Sequence, residues 1–116
     1  MQKKVAKPAA PSPAKALGQL RQSLATMNLV CSGTLLKRWK ICGRPNCRCA
    51  KDPTARHGPY YEWSRRQDGR LRHSLLTAQQ AKRVAHGISN RRKILALLAR
   101  CTLEIARSLK GTTEDN

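Results

Sequence analysis

The segment Cys42-Gly43-Arg44-Pro45-Asn46-Cys47-Arg48-Cys49, followed by His57, restricts this chain more than any other feature. Three thiols fall within eight residues and one imidazole lies eight further on. Cys42, Cys47, Cys49 and His57 can fill the four positions of a tetrahedral Zn2+ site, and Gly43 and Pro45 suit a loop that wraps tightly. Four protein ligands leave no position for an activated water, so the zinc is expected to be structural. Arg44, Arg48, Lys51 and Arg56 would help stabilise thiolate charge. The spacing is less specific than a paired C-x2-C, because Cys47 and Cys49 must reach one ion from either side of a single residue. Buried, redox-inert thiols are the competing reading, and a redox or other metal role is the third. Cys31 is a substitute ligand at a strand edge, where cysteine more often acts as a small hydrophobe. Cys101 falls on an apolar helix face and reads as core.

The flanking patterns place this loop between strands. Residues 33–41 alternate, with Leu35, Lys37, Trp39 and Ile41 on one side and Leu36, Arg38 and Lys40 on the other, which predicts a strand. The Cys-rich loop runs over 42–59. Two further strands are expected at 60–65 and 70–76, because Asp68-Gly69 between alternating runs is a hairpin signal. Before the sheet, Leu17, Leu20, Leu24 and Met27 predict a helix from near Ala16. After it, Thr77-Ala78-Gln79-Gln80 fits a capping box opening a helix with Ala81, Val84, Ala85 and Ile88 on one face. Gly87 and Asn90 weaken that helix, and continuing its phase would put Arg91 among apolar residues, so a break is expected there. A last helix over 91–110 then carries Leu95, Leu98, Thr102, Ile105 and Leu109 in one row, with Ile94, Leu97 and Cys101 beside it. Lys93, Arg100 and Arg107 form a basic stripe opposite. That apolar face is wider than a small sheet needs and is expected to hold the N-terminal helix or a second copy. The expected fold is therefore α+β: a small three-stranded antiparallel sheet with a Cys-rich, zinc-binding loop, flanked by an N-terminal helix and C-terminal helices. Residues 1–16, with Pro8, Pro11 and Pro13, read as a disordered basic arm. Residues 17–110 read as one small domain, and 111–116 as a disordered tail.

Charge supplies the functional expectation. Twenty-four Lys and Arg stand against six Asp and Glu, a formal net charge of +18, and no acid precedes Asp52. Such an excess repels itself unless a polyanion neutralises it. Nucleic acid is the expected partner, with DNA ahead of RNA. The candidate contacts are Lys37, Arg38 and Lys40 on the first strand, Arg44 and Arg48 on the Cys loop, and Arg65, Arg66, Arg70 and Arg72 around the hairpin. Tyr60, Tyr61, Trp39 and Trp63 could stack on bases, but with so few aromatics both Trp are expected in the core. Tyr60 and Tyr61 point to opposite faces, so one of them is expected to be exposed. The alternative role is an accessory subunit, or a homodimer, that docks through the C-terminal helix.

Other classes find little support. The acids outside the tail are scattered, and neither a phosphate-binding Gly loop nor a nucleophile elbow is present, so no enzymatic activity and no small-molecule substrate are expected. His73 and His86 read as isolated. No apolar run is long enough to span a bilayer and the N-terminus lacks an apolar leader core, so a cytoplasmic protein without membrane contact is expected.

Gly33-Thr34-Leu35, the C-G-x-x-x-C-x-C run from Cys42 to Cys49, His57-Gly58-Pro59-Tyr60-Tyr61 and the Asp68-Gly69 turn together resemble a family of small uncharacterised bacterial proteins often described near transposases and integrases. The resemblance covers roughly residues 30–105. It implies a mobile-element setting, in which the chain would be an accessory factor, and it brings no established activity.

Overall fold

The computed structural model describes residues 10–110. The first nine residues of the expected arm and the tail at 111–116 lie outside them. The described residues fall into two compact units, Met27–Arg92 on the one hand and 10–26 with 93–110 on the other.

In the second of these, helix α1 covers Pro13–Thr26 and starts three residues before the expected point. Ser12 caps it: its hydroxyl accepts from the Lys15 amide at 3.2 Å and its carbonyl from the Ala16 amide at 3.1 Å. Pro13 is tolerated in the first turn, where its missing N–H would have no partner anyway. Ala16 and Leu20 are buried. The C-terminal helix α2, Ala78–Leu109, contributes its later turns to this unit. There the buried row differs from the expected one. Ile94, Leu97 and Cys101 are half-buried and Glu104 is 7 % exposed, whereas Leu95, Leu98, Ile105 and Leu109 lie open. An acid can occupy the covered row because Arg107, expected on an exposed stripe, donates to both Glu104 carboxylate oxygens at 2.9 and 2.7 Å. A buried carboxylate without such a partner would be strongly destabilising.

The unit Met27–Arg92 holds the sheet. Strands β1 (Thr34–Lys40), β2 (His57–Gln67) and β3 (Arg70–Leu76) form an antiparallel meander in that order. Asp68 and Gly69, with φ of 54° and 74°, make the two-residue turn, so β2 continues two residues past its expected end. Leu35 opposite Trp63, and Tyr61 opposite Leu76, mark the more covered face. Leu36, Leu71 and Leu75 lie on the other face and are exposed. The Trp63 indole donates to the Ser32 carbonyl at 2.9 Å and Gly33 packs on that ring, where a Cβ would stand 2.6 Å from Nε1. Trp63 is thus half-buried, but Trp39, also expected in the core, is 50 % exposed. Its ring is instead covered by the Lys37 ammonium at 5.2 Å.

The capping box forms as expected, with the Thr77 amide donating to Gln80 Oε1 at 2.9 Å and the Gln80 amide to Thr77 Oγ1 at 3.2 Å. The expected break near Arg91 does not occur, and a single helix stands where several were expected. Gly87 and Asn90 serve tertiary contacts instead of ending the helix. The Cys31 backbone amide donates to the Gly87 carbonyl at 3.2 Å, and the Asn90 side-chain amide Nδ2 to the Leu29 carbonyl at 2.9 Å. Asn90 takes the buried position that the phase assigned to Arg91, and Arg91 is exposed. No described helix is long and apolar enough to cross a membrane.

Candidate metal centre and basic hairpin

Strand pairing assembles the Cys/His cluster. β1 ends at Lys40, whose partner on β2 is His57, so the imidazole starts one strand beside the point where the other releases Cys42. Between these, the register shifts, with Gly58 and Pro59 lying opposite Trp39 alone. Gly58 makes this bulge close: its φ is 140°, and a Cβ there would stand 2.7 Å from the Arg38 carbonyl. β2 consequently begins at His57, three residues before its expected start. The loop then folds back through two single turns of 3-10 helix, Arg48–Ala50 and Pro53–Ala55. Asp52 caps the second, accepting from the Thr54 amide at 2.9 Å and hydroxyl at 2.7 Å.

The loop brings Cys42, Cys47, Cys49 and His57 together, with all four ligand atoms within 4.8 Å of one another. Cys42 and Cys49 sulfurs are 3.5 Å apart, and Cys47 Sγ is 3.2 Å from His57 Nε2. Bonds of about 2.3 Å to sulfur and about 2.0 Å to nitrogen set tetrahedral edges of roughly 3.5–3.8 Å, so small adjustments would centre an ion. The donor set also fits a borderline-soft cation. Cys49 is 2 % exposed and accepts from the Cys42 amide at 3.3 Å. That amide pulls its thiol down, but burial and the neighbouring thiols of Cys47 and Cys42 outweigh it and leave the group above its ordinary range. Cys47 is held at about 6 by the Cys49 amide first, then by His57 and the other two thiols. This cluster could hold a metal ion. Cys31, the substitute ligand, takes no part; its thiol donates to the Val84 carbonyl at 3.5 Å, and burial raises its pKa.

The basic residues fall into two groups. Lys40, Arg44 and Arg48 flank the metal centre, whereas Arg65, Arg66, Arg70 and Arg72 surround the hairpin tip at the other end of β2, about 30 Å away by strand rise. Arg38 lies 3.8 Å from Glu62 and Arg48 lies 3.3 Å from Asp52, so these two are partly neutralised. Asp52 is held below its ordinary range by the Thr54 hydroxyl, the Thr54 amide and Arg48. At the hairpin, Arg65 stands directly opposite Arg72 and Gln67 opposite Arg70, with Arg66 on the reverse face. Arg65 stacks on Trp63, 4.2 Å from the ring centroid, and donates to Ser74 Oγ at 2.7 Å. Among the described residues, no acidic group lies within ion-pair distance of Lys37, Lys40, Arg44, Arg65, Arg66, Arg70 or Arg72.

His73, read as isolated, joins Ser64 at 2.8 Å and Glu62 at 3.3 Å. Both contacts are made by Nδ1, so the ring cannot pass a proton from one to the other through its two nitrogens. Strand register could have revealed this group, since Ser64 and His73 are paired and Glu62 is two residues away on the same face.

These features define a small α+β module built around a Cys3His cluster. The chain belongs to the domain family of unknown function DUF6788, whose model matches residues 13–85, from the start of α1 into the first turns of α2. Comparison with curated proteins and with solved structures gives no match.

Proposed function

We propose that this chain is a nucleic-acid-binding protein whose sheet is held by a structural zinc ion and whose hairpin engages phosphates. The observation that carries the reading is the pairing of Arg65 with Arg72. Like charges directly opposite on a sheet are destabilising, and here they sit beside Arg66 and Arg70, with none of the four within ion-pair distance of an acid among the described residues. A phosphate backbone removes that repulsion and releases its own counterions. Zinc is preferred at Cys42, Cys47, Cys49 and His57 because three thiolates and an imidazole match its usual structural ligand sets. DNA is preferred over RNA, because a two-stranded ribbon fits the DNA major groove, and an accessory role beside a recombinase would suit the resemblance noted from the sequence.

The test is a salt titration of DNA binding. If about six phosphates are contacted, the log–log slope on duplex DNA should be near −5. Replacing Arg65, Arg66, Arg70 and Arg72 with Gln should weaken binding and flatten the slope by up to roughly 3.6, while the fold persists. Affinity indifferent to salt would refute the reading. A second reading is favoured by α2, where Leu95, Leu98, Ile105 and Leu109 are exposed on one face. That row would suit a protein partner or a second copy, and a stable oligomer that ignores nucleic acid would select it.

A further inference from the structure

We infer that the hollow beside the metal centre takes one unpaired nucleobase, stacked on Tyr60, so that the chain distinguishes single-stranded from duplex nucleic acid. This rests on the nucleic-acid reading but uses a different surface from the hairpin. The hollow measures about 560 Å3 and is lined by Cys42, Arg44, Asn46, Cys47, His57 and Tyr60. Its size falls within the roughly 300–1,000 Å3 of ordinary ligand sites.

The chemistry of its wall is specific. Tyr60 is 41 % exposed at the rim, although an aromatic ring in a chain with so small a core would gain by burial. The Lys40 ammonium lies over one face of the ring, 5.6 Å from its centroid, so a base would stack on the other face, and Arg44 lines the hollow. A ring face, two cations and no carboxylate make a surface for a flat π-system that carries a phosphate. Asn46 adds an amide, whose donor and acceptor can meet a base edge. The floor is fixed if a metal is bound, because Cys42, Cys47 and His57 would then be ligands. Bases in a duplex offer only their edges, since their faces are occupied by neighbours, so stacking on Tyr60 requires an unpaired base. The hairpin arginines, roughly 17–23 Å from Tyr60 along β2, contact phosphates whichever form is present.

Fluorescence anisotropy of the metal-loaded full chain tests this with a mixed-sequence DNA strand, the corresponding RNA strand and the DNA duplex. Tyr60→Ala and Tyr60→Leu should each weaken binding to single strands by about five- to hundredfold, the effect of losing one base–aromatic stack, while Tyr60→Phe stays within about twofold. Binding to the duplex should be unchanged. A loss on single-stranded DNA, RNA or both supports the proposal and names the occupant. Unchanged single-strand binding in Tyr60→Leu, at full metal content, overturns it, as does an equal loss on the duplex. A wild-type chain that binds none of the three probes sinks the general reading as well. One that binds all three but ignores the Tyr60 variants sinks only this inference.

Discussion

Removing the metal should unfold the sheet, and the structure indicates why the effect is large. Within Met27–Arg92 the only buried apolar side chains are Cys49 and Ala81, and Cys49 is itself a candidate ligand. A core this slight supplies at most about 3–5 kcal/mol even in a well-packed chain of comparable size. A structural zinc ion contributes an apparent 10–16 kcal/mol or so near neutral pH. The metal-bound unit is therefore expected to be stable and the metal-free one to lie at or below the folding threshold. Trp63 reports on the transition, because its indole is held by the Ser32 carbonyl and its face by Arg65. Titrating a strong chelator should shift its emission toward that of a solvated indole and abolish protection of the amides between β1 and β2. Adding zinc back should restore both. Cys49→Ser should behave as the chelated protein does. A chelated chain that keeps its emission, its amide protection and its thermal midpoint would refute the reasoning, as would purified protein with well under one metal ion per chain.

Two further substitutions test the packing. Gly87→Ala should destabilise by about 1 kcal/mol although alanine favours helix, because the new Cβ would lie 2.7 Å from Cys31 Sγ; in a Cys31→Ala background, where only the tight 3.3 Å approach to the residue-31 amide nitrogen remains, the cost should shrink, which paired urea midpoints will show. Trp63→Phe should cost about 1–2 kcal/mol through the lost hydrogen bond to Ser32 and the weakened stack under Arg65, read as a lower urea midpoint at constant slope.

Those contacts also explain what the sequence could and could not convey. The Asp68-Gly69 turn and the Thr77–Gln80 box are local: each is complete within four residues, and each was legible in the residue types. That Cys42, Cys47, Cys49 and His57 would cluster was legible too, because thiols crowded at short spacing have few other uses. Gly87 and Asn90 looked like helix breakers because propensity counts only neighbours in the chain. Their partners, Cys31 and Leu29, are more than fifty residues away. The apolar row on α2 failed for a related reason. Periodicity ranks faces by hydrophobicity, but Glu104 and Arg107 neutralise one another and can occupy a covered face that periodicity would reject. His57-Gly58-Pro59 read as loop because proline cannot donate to a ladder, and only the bulge opposite Trp39 makes room for it in a strand.

The metal centre and the cationic surface are linked through backbone rather than through charge. Loading a divalent ion onto three thiolates and a neutral imidazole changes a net charge of +18 by a single unit. The part of the attraction to a polyanion that follows total charge should therefore survive in the metal-free chain, whereas the part that follows the paired hairpin arginines should be lost as the sheet unfolds. What a bound metal would govern is position. It would tie His57, the first residue of β2, to the loop that leaves β1, and so fix the wall on which Tyr60 and Arg44 meet. The hairpin arginines depend on it less directly, through the ladder from His57 to Gln67. If the chain binds as proposed, affinity for phosphate and recognition of an unpaired base should accordingly be separable: the first would follow from composition and the second from geometry.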